Sequence, residues 1–221
     1  MSERSTYHHG NLRDTLVAYG KQLLLTQGPL NISLRSVTRA AGVSPAAPRH
    51  EFGDLNGLLS AIAVEGFDEL IALRSAAVAQ AADPVQRLRA VLQVYVDFAI
   101  EKPGLFWLMI GPQISDRHER PEINQATERS YALLQRYVYE YLQSQDLGAA
   151  CTHELVQCAW SAMHGVSMLF SGRSHGPNPA ASLPFEVWRE SVIDFTLVGL
   201  VARGKEISAK KLADHSQSHL P

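Results

Sequence analysis

The chain has 221 residues, 46% of them apolar and 19% charged, with a net charge of −2. That composition excludes a disordered or heavily charged polymer and leaves ample material for a buried core. The total charge does not advertise a nucleic-acid partner, so its distribution is the better guide. Residues 1–60 hold six Lys or Arg against four acids, which makes that segment +2 and leaves the remainder at −4.

Apolar residues recur at three- and four-residue spacing between short breaks rich in Gly, Pro and Ser, and no sustained alternating run is present. The class expected is therefore all-α. A first helix is expected over 11–26, with Leu12, Leu16, Val17, Leu23 and Leu24 on its apolar side. Gln27-Gly28-Pro29 stops it. Ser33 can cap a short helix over 34–41, and Gly42 turns the chain. Ser44 can cap the next short helix, with Pro45 at its first position, and Phe52-Gly53-Asp54 closes that unit. A long helix follows over 55–81, with Leu58, Leu59, Ile62, Phe67, Leu70 and Leu73 as its core face. Asp83-Pro84 opens another over 85–101, broken at Lys102-Pro103-Gly104. Residues 105–110 form a short apolar turn or helix, and the polar stretch 111–121 is expected to be mobile. Helices are expected over 122–143, 152–171 and 185–203, with a loop over 172–184. This places domain boundaries after residues 54 and 204, and the tail 205–221 is expected to fray.

Cys151 and Cys158 are the two cysteines. Two helical turns put them roughly 10 Å apart, too far for a disulfide. Both are expected to be buried helical thiols, and the chain suits a reducing cytosol. The first twenty residues are polar and charged, so no leader peptide is expected. No apolar run approaches the roughly 20 residues of a membrane span, and no membrane partner is expected.

Residues 32–52 have the grammar of a helix-turn-helix. Leu34, Val37, Ala40 and Ala41 give the first short helix an inner face, and Gly42 can take the positive φ of a tight turn. Val43 plugs the joint, while Ala47 and Phe52 hold the second helix down. Ser44, Ala46, Arg49 and His50 then face outward, free to approach a major groove, with Arg13, Ser33 and Arg35 as further candidate DNA contacts. By spacing alone, an ordinary helical hairpin fits as well.

This segment resembles the DNA-binding domain of tetracycline-repressor-like (TetR) transcription regulators. Tyr7-His8-His9-Gly10-Asn11-Leu12-Arg13, Glu101-Lys102-Pro103-Gly104-Leu105-Phe106 and Trp160-Ser161-Ala162-Met163-His164-Gly165 resemble the subgroup named for a Trp-His-Gly (WHG) carboxy-terminal domain. The resemblance implies a three-helix DNA-binding domain joined by a long helix to a helical ligand-binding and dimerisation domain. Three positions depart from the family pattern. Arg49 stands where members usually carry Tyr, Glu51 where they carry His, and Leu55 where they often carry Lys. The Tyr and Lys positions generally contact phosphate in the family. Arg49 can replace one such bond or reach a guanine edge, whereas Glu51 and Leu55 should weaken or redirect binding.

The helices over 152–171 and 185–203 are apolar almost all round, so one face of each needs a partner beyond the chain's own core. A homodimer built on a four-helix bundle supplies it, the other solution being a larger monomeric core. Two reading helices about one DNA turn apart, roughly 34 Å, would favour a near-palindromic double-stranded operator. Phe98, Phe106, Trp107, Met109, Trp160, Met163, His164 and Met168 are the candidate wall of an effector pocket, with His164 as its polar group, although such stripes are also ordinary core. They suit a small apolar or aromatic ligand. The expected function is thus a ligand-responsive regulator, a repressor, with no cofactor.

Three other classes compete with it. Catalysis is not expected, because no phosphate loop, dinucleotide fingerprint or nucleophile elbow is present. His153-Glu154-Leu155-Val156-Gln157 misses the metalloprotease pattern at its second histidine. Metal sensing through His8-His9 or His118-Glu119 is possible on composition, but paired histidines are usually surface residues. A helix-turn-helix that senses a ligand or protein without reading DNA is the third, kept open by Glu51 and Leu55.

Overall fold

The structure, a computed structural model, describes residues 9–28, 32–171 and 184–217. All the regular structure among them is helical: α1 (His9–Gln27), α2 (Leu34–Ala41), α3 (Ala47–Phe52), α4 (Leu55–Ala79), α5 (Pro84–Glu101), α6 (Pro103–Ile110), α7 (Pro121–Gln143), α8 (His153–Phe170) and α9 (Phe185–Gln217), with 3-10 turns at Arg117–Glu119 and Gly148–Ala150. The all-α class is as expected. Tyr7, His8 and the loop over 172–183 lie outside the described residues.

The contacts group into two compact units whose limits differ from a boundary at residue 54. One comprises residues 1–69 and 102–128, the other 70–101 and 129–221. The reason lies in α6, which packs on α1 so closely that a Cβ on Gly104 would sit 2.6 Å from the Leu24 carbonyl oxygen. In the first unit Leu16, Val17, Leu24, Val37, Leu58, Ile62, Phe106, Leu108 and Ile123 form a solvent-free core. Burial of such side chains, each contributing roughly 1.5–3 kcal/mol, is what holds these short helices together.

Lys21 on α1 reaches Glu65 at 3.4 Å and Glu69 at 3.0 Å on α4, and Lys102 also bonds Glu69. Burial alone would raise the Glu69 carboxyl, but its bonds to Lys102 and Lys21 outweigh that and hold it below its ordinary value. A depressed carboxylate contributes stability above its unfolded pKa, lost as pH falls through the folded one. Glu69→Gln should therefore cost no more than about 1 kcal/mol at pH 7 for a partly exposed pair, read as a lower urea midpoint. The difference should shrink as pH falls through the folded pKa of Glu69. Equal midpoints at pH 7 would show that the cluster contributes nothing.

Residues 111–121, expected to be mobile, are anchored in the first unit. Ile114 is buried, the Arg117 guanidinium donates to the Leu108 carbonyl at 3.4 Å, and Arg120 makes a two-pronged bond to Asp116 at 2.9 and 2.6 Å. The polarity that suggested mobility is satisfied internally. Asn56 donates to Ser115 at 3.0 Å, and Arg120 lies 3.5 Å from Asp54, the residue that caps α4 through the Gly57 amide.

In the second unit α8 packs along α5 and α9. Leu88, Leu92, Val96, Phe98, Val138, Leu142, Leu155, Met163, Ile193 and Leu200 are buried there. Ion pairs tie α5 to α9, with Arg89 on Glu190 at 3.0 Å and on Asp194, and Arg189 on Asp97. The Tyr141 hydroxyl donates to the Leu197 carbonyl at 3.1 Å. Three expectations need correction. Residues 205–217 do not fray but continue α9, because Gly204 lies against Leu147 and Lys211 donates to the Ala149 carbonyl at 2.8 Å. Leu73 is exposed, and the core face of α4 is completed by Arg74 instead. Cys158 is exposed and Cys151 only half-buried, since Cys158 lies on the outer side of α8.

Candidate nucleic-acid interface and effector cluster

The helix-turn-helix begins with reciprocal bonds between two serines. The Ser36 amide donates to Ser33 Oγ at 3.1 Å, and the Ser33 amide donates to Ser36 Oγ at 2.9 Å, a capping box with Ser in place of the usual acid. Val37 and Thr38 are the buried residues of α2, while Ala40, expected on the inner face, is exposed. Gly42 takes φ 66° and lets the Val43 amide reach the Thr38 carbonyl at 3.1 Å.

No atom lies within 4 Å of a Cβ built on Gly42, so any cost of substitution there is backbone strain alone. Gly42→Ala should cost about 1–2 kcal/mol of stability, and Gly42→Asn less, because Asn tolerates the left-handed region. Chemical denaturation checks the order, and an Ala variant as stable as Asn would contradict the strain argument.

The second helix starts later than its sequence suggests. Ser44 Oγ accepts from the Ala46 amide at 3.3 Å, but regular helix runs Ala47–Phe52, with Ala46 as its cap. Pro48 explains the delay. Were Pro45 the first helical residue, Pro48 would stand where an amide must bond to the Ser44 carbonyl, and it has none. Starting at Ala47 places Pro48 in the first turn, where no such bond is needed, and its ring is buried as the anchor of α3.

This anchoring leaves Ser33, Arg35, Arg39, Ser44, Ala46, Arg49 and His50 at the surface, His50 with 89% of its side chain free. The candidate DNA residues thus share the outer side of α2, α3 and their joint, and Arg39 joins them although spacing did not single it out. Arg13 is also exposed, but its guanidinium lies over the Phe52 ring at 5.2 Å, so it braces α1 against the end of α3. Glu51 is turned inward relative to His50 and lies 3.5 Å from His50 Nδ1, which offsets its charge when the imidazole is protonated. Leu55 is half-buried in the first turn of α4.

The candidate effector residues divide between the units. Phe106, Trp107 and Met109 belong to the first, and Phe98, Trp160, Met163, His164 and Met168 to the second. Phe98 and Met163 are buried, whereas Trp160, His164 and Met168 are half-buried. Within the second unit His164 stacks on Trp160 with ring centroids 4.9 Å apart, and its Nδ1 is hydrogen-bonded to the Tyr95 hydroxyl at 3.1 Å. Burial lowers the His164 pKa, which favours a neutral ring near pH 7. Burial also pushes the Tyr95 phenol up to about 12, against the pull of Arg74 and Trp160, so it keeps its proton. The sequence reading missed Tyr95 and the Arg74 beside it. An arginine four residues beyond Leu70, on the apolar face of a long helix, was the available signal.

Elsewhere, His118 lies 3.4 Å from Glu119 on an exposed turn, and no group of three metal-ligating side chains is found among the described residues. No described helix is long and apolar enough to cross a membrane.

The profile of the tetracyclin repressor-like C-terminal domain matches residues 88–188. None of the curated proteins matches the chain. Among solved structures, a Rhodococcus sp. RHA1 protein of unknown function is 30% identical, covering 90% of this chain and 100% of that one with a TM-score of 0.73. The FadR transcriptional regulator of Bacillus subtilis, solved in complex with stearoyl-CoA, is 12% identical and covers 84% of this chain and 98% of its own at a TM-score of 0.65. PfmR, a TetR-family transcriptional regulator of Thermus thermophilus, is 18% identical, covering 82% of this chain and 96% of its own at a TM-score of 0.58.

Proposed function

Because the chain belongs to the tetracycline-repressor-like family of transcription regulators, we propose that it is a ligand-responsive repressor that binds a near-palindromic operator as a homodimer. The observation that carries this reading is the outer side of the helix-turn-helix. Arg35, Arg39, Arg49 and His50 lie at the surface together there, while Val37 and Pro48 hold the two helices from behind. Such a surface can lay α3 in a major groove and α2 across the backbone. Arg49 is the residue assigned to a base edge, where a two-pronged bond to guanine discriminates by about 1–3 kcal/mol.

The second copy covers an apolar face that the chain leaves open. On α9, Val187, Phe195 and Val198 are exposed, Phe195 at 79% and Val198 at 68%, and Leu169 is exposed on α8. Gly165 and Gly199 have nothing within 4 Å of a built Cβ, so another backbone can approach closely at both. A symmetric partner presenting the same two helices fits this face by self-complementarity. The effector is a small apolar or aromatic molecule. It acts by binding one spacing of the two reading helices better than another, since only differential affinity shifts such an equilibrium.

The test is fluorescence anisotropy on labelled DNA from upstream of the gene, against a scrambled duplex, across a salt series. Specific binding should weaken steeply with salt, and Arg49→Ala should cost roughly 5–150-fold. Leu55→Lys should tighten binding and steepen the salt slope by about one. Binding indifferent to sequence and to Arg49→Ala would favour the second reading, a helix-turn-helix that serves a ligand or protein. The half-buried Leu55 at a family phosphate-contact position is what keeps that reading in view.

A further inference from the structure

Arg74 is 2% exposed, yet among the described residues no carboxylate pairs with it. Its Nη1 donates to the Ser130 carbonyl at 3.3 Å and to Ser130 Oγ at 3.2 Å, and its guanidinium lies 5.1 Å from the centre of the Tyr95 ring. Nε is buried with no hydrogen-bond partner. Burial lowers its pKa to about 10, with Tyr95 acting in the opposite sense, so the group stays charged at neutral pH. A buried cation surrounded only by neutral groups is costly, and proteins rarely keep one without a counter-charge.

The groups beside it form a chain of contacts that runs to the surface. Tyr95 covers the guanidinium, His164 bonds the Tyr95 hydroxyl, and Trp160 stacks on His164. His164 and Trp160 are half-buried, so the outer end of this stack is reachable from solvent. All five residues, from α4, α5, α7 and α8, belong to the second unit.

We infer that the second unit takes a small aromatic carboxylate, its charge meeting Arg74 and its ring lying against the stack of Tyr95, His164 and Trp160. This rests on the proposed effector response and names its ligand class. Arginine suits the task because its planar fork can hold both carboxylate oxygens, and Nε is one of the two donors that such a bond uses. The aromatic rings supply offset stacking and exclude water from the ion pair.

Isothermal titration of the purified protein, without DNA, separates this inference from the proposed regulation. The probes are benzoate, phenylacetate and naphthalene-1-acetate, each beside its neutral amide. At least one acid should bind at least tenfold more tightly than its amide. Arg74→Met should erase that preference, and Arg74→Lys should keep part of it. Without ligand Arg74→Met should hold or raise Tm, because an apolar side chain of similar length removes an uncompensated charge. Equal binding of acid and amide, or no binding of any acid at millimolar concentration, overturns the inference while leaving DNA binding to its own test. A sharp fall in Tm for Arg74→Met with no acid preference in the parent protein would make Arg74 a structural donor to Ser130.

Discussion

Phe195→Glu should convert the protein from dimer to monomer and cut operator affinity by roughly 10²–10⁴-fold, the range by which joining two binding modules exceeds either alone. Phe195 is 79% exposed on the outer side of α9 and lies outside the unit that carries the helix-turn-helix, so the substitution leaves that unit unchanged. Within one chain a solvated Glu at this position costs little. In the dimer two carboxylates would be buried at an interface centre, where aromatic side chains commonly carry most of the binding energy. Light scattering reads the mass, and the anisotropy assay reads the affinity. Cys158 gives an independent signal, because it is exposed about two turns before Gly165 on the same side of α8. Its reaction with a maleimide should be slow in the parent dimer and fast in the variant. A variant that remains dimeric with unchanged DNA binding would remove this face from the interface.

Phe98→Ala should destabilise the fold by about 3–5 kcal/mol, the range for deleting a large buried aromatic side chain. Phe98 is 1% exposed on α5, in the unit that also holds Val96, Met163 and Ile193 among its buried residues. The sequence reading placed it in the effector wall, where it would border a space able to admit a ligand. The two roles differ in cost. A core side chain leaves a cavity that its neighbours fill only in part, whereas a wall residue already faces open volume and forfeits fewer contacts. A urea series should give the full loss, and a loss under about 1 kcal/mol would return Phe98 to the pocket.

The fold class and the order of helices were legible because spacing and stop signals agreed. Gln27-Gly28 ends α1, Gly42 and Gly53 hold the positive φ that the two tight turns need, and Pro103 opens α6. The outward set of the helix-turn-helix was legible too, since Val37 fixes which side of α2 faces inward. Failures came where tertiary partners override local polarity. The stretch around Ile114 and Arg120 reads as a loose loop until its ion pairs are placed, and the tail after Arg203 reads as a frayed end until Lys211 finds the Ala149 carbonyl. Pro48 shifted the start of α3 because one missing amide outweighs a favourable cap at Ser44. Arg74 was overlooked for a different reason. A charge on a core face violates the period from which the core is read, and such violations tend to mark function.

In the proposed complex two copies of α3 read two half-sites of one operator. Hydroxyl-radical footprinting of the upstream DNA tests it most directly. Two protected patches are expected on one face of the duplex, related by a two-fold axis. Their centres should lie about 10 base pairs apart or at a whole multiple of that spacing. Phe195→Glu should lose both patches at the same concentration. A single patch that persists in Phe195→Glu, or uniform protection indifferent to sequence, would contradict it.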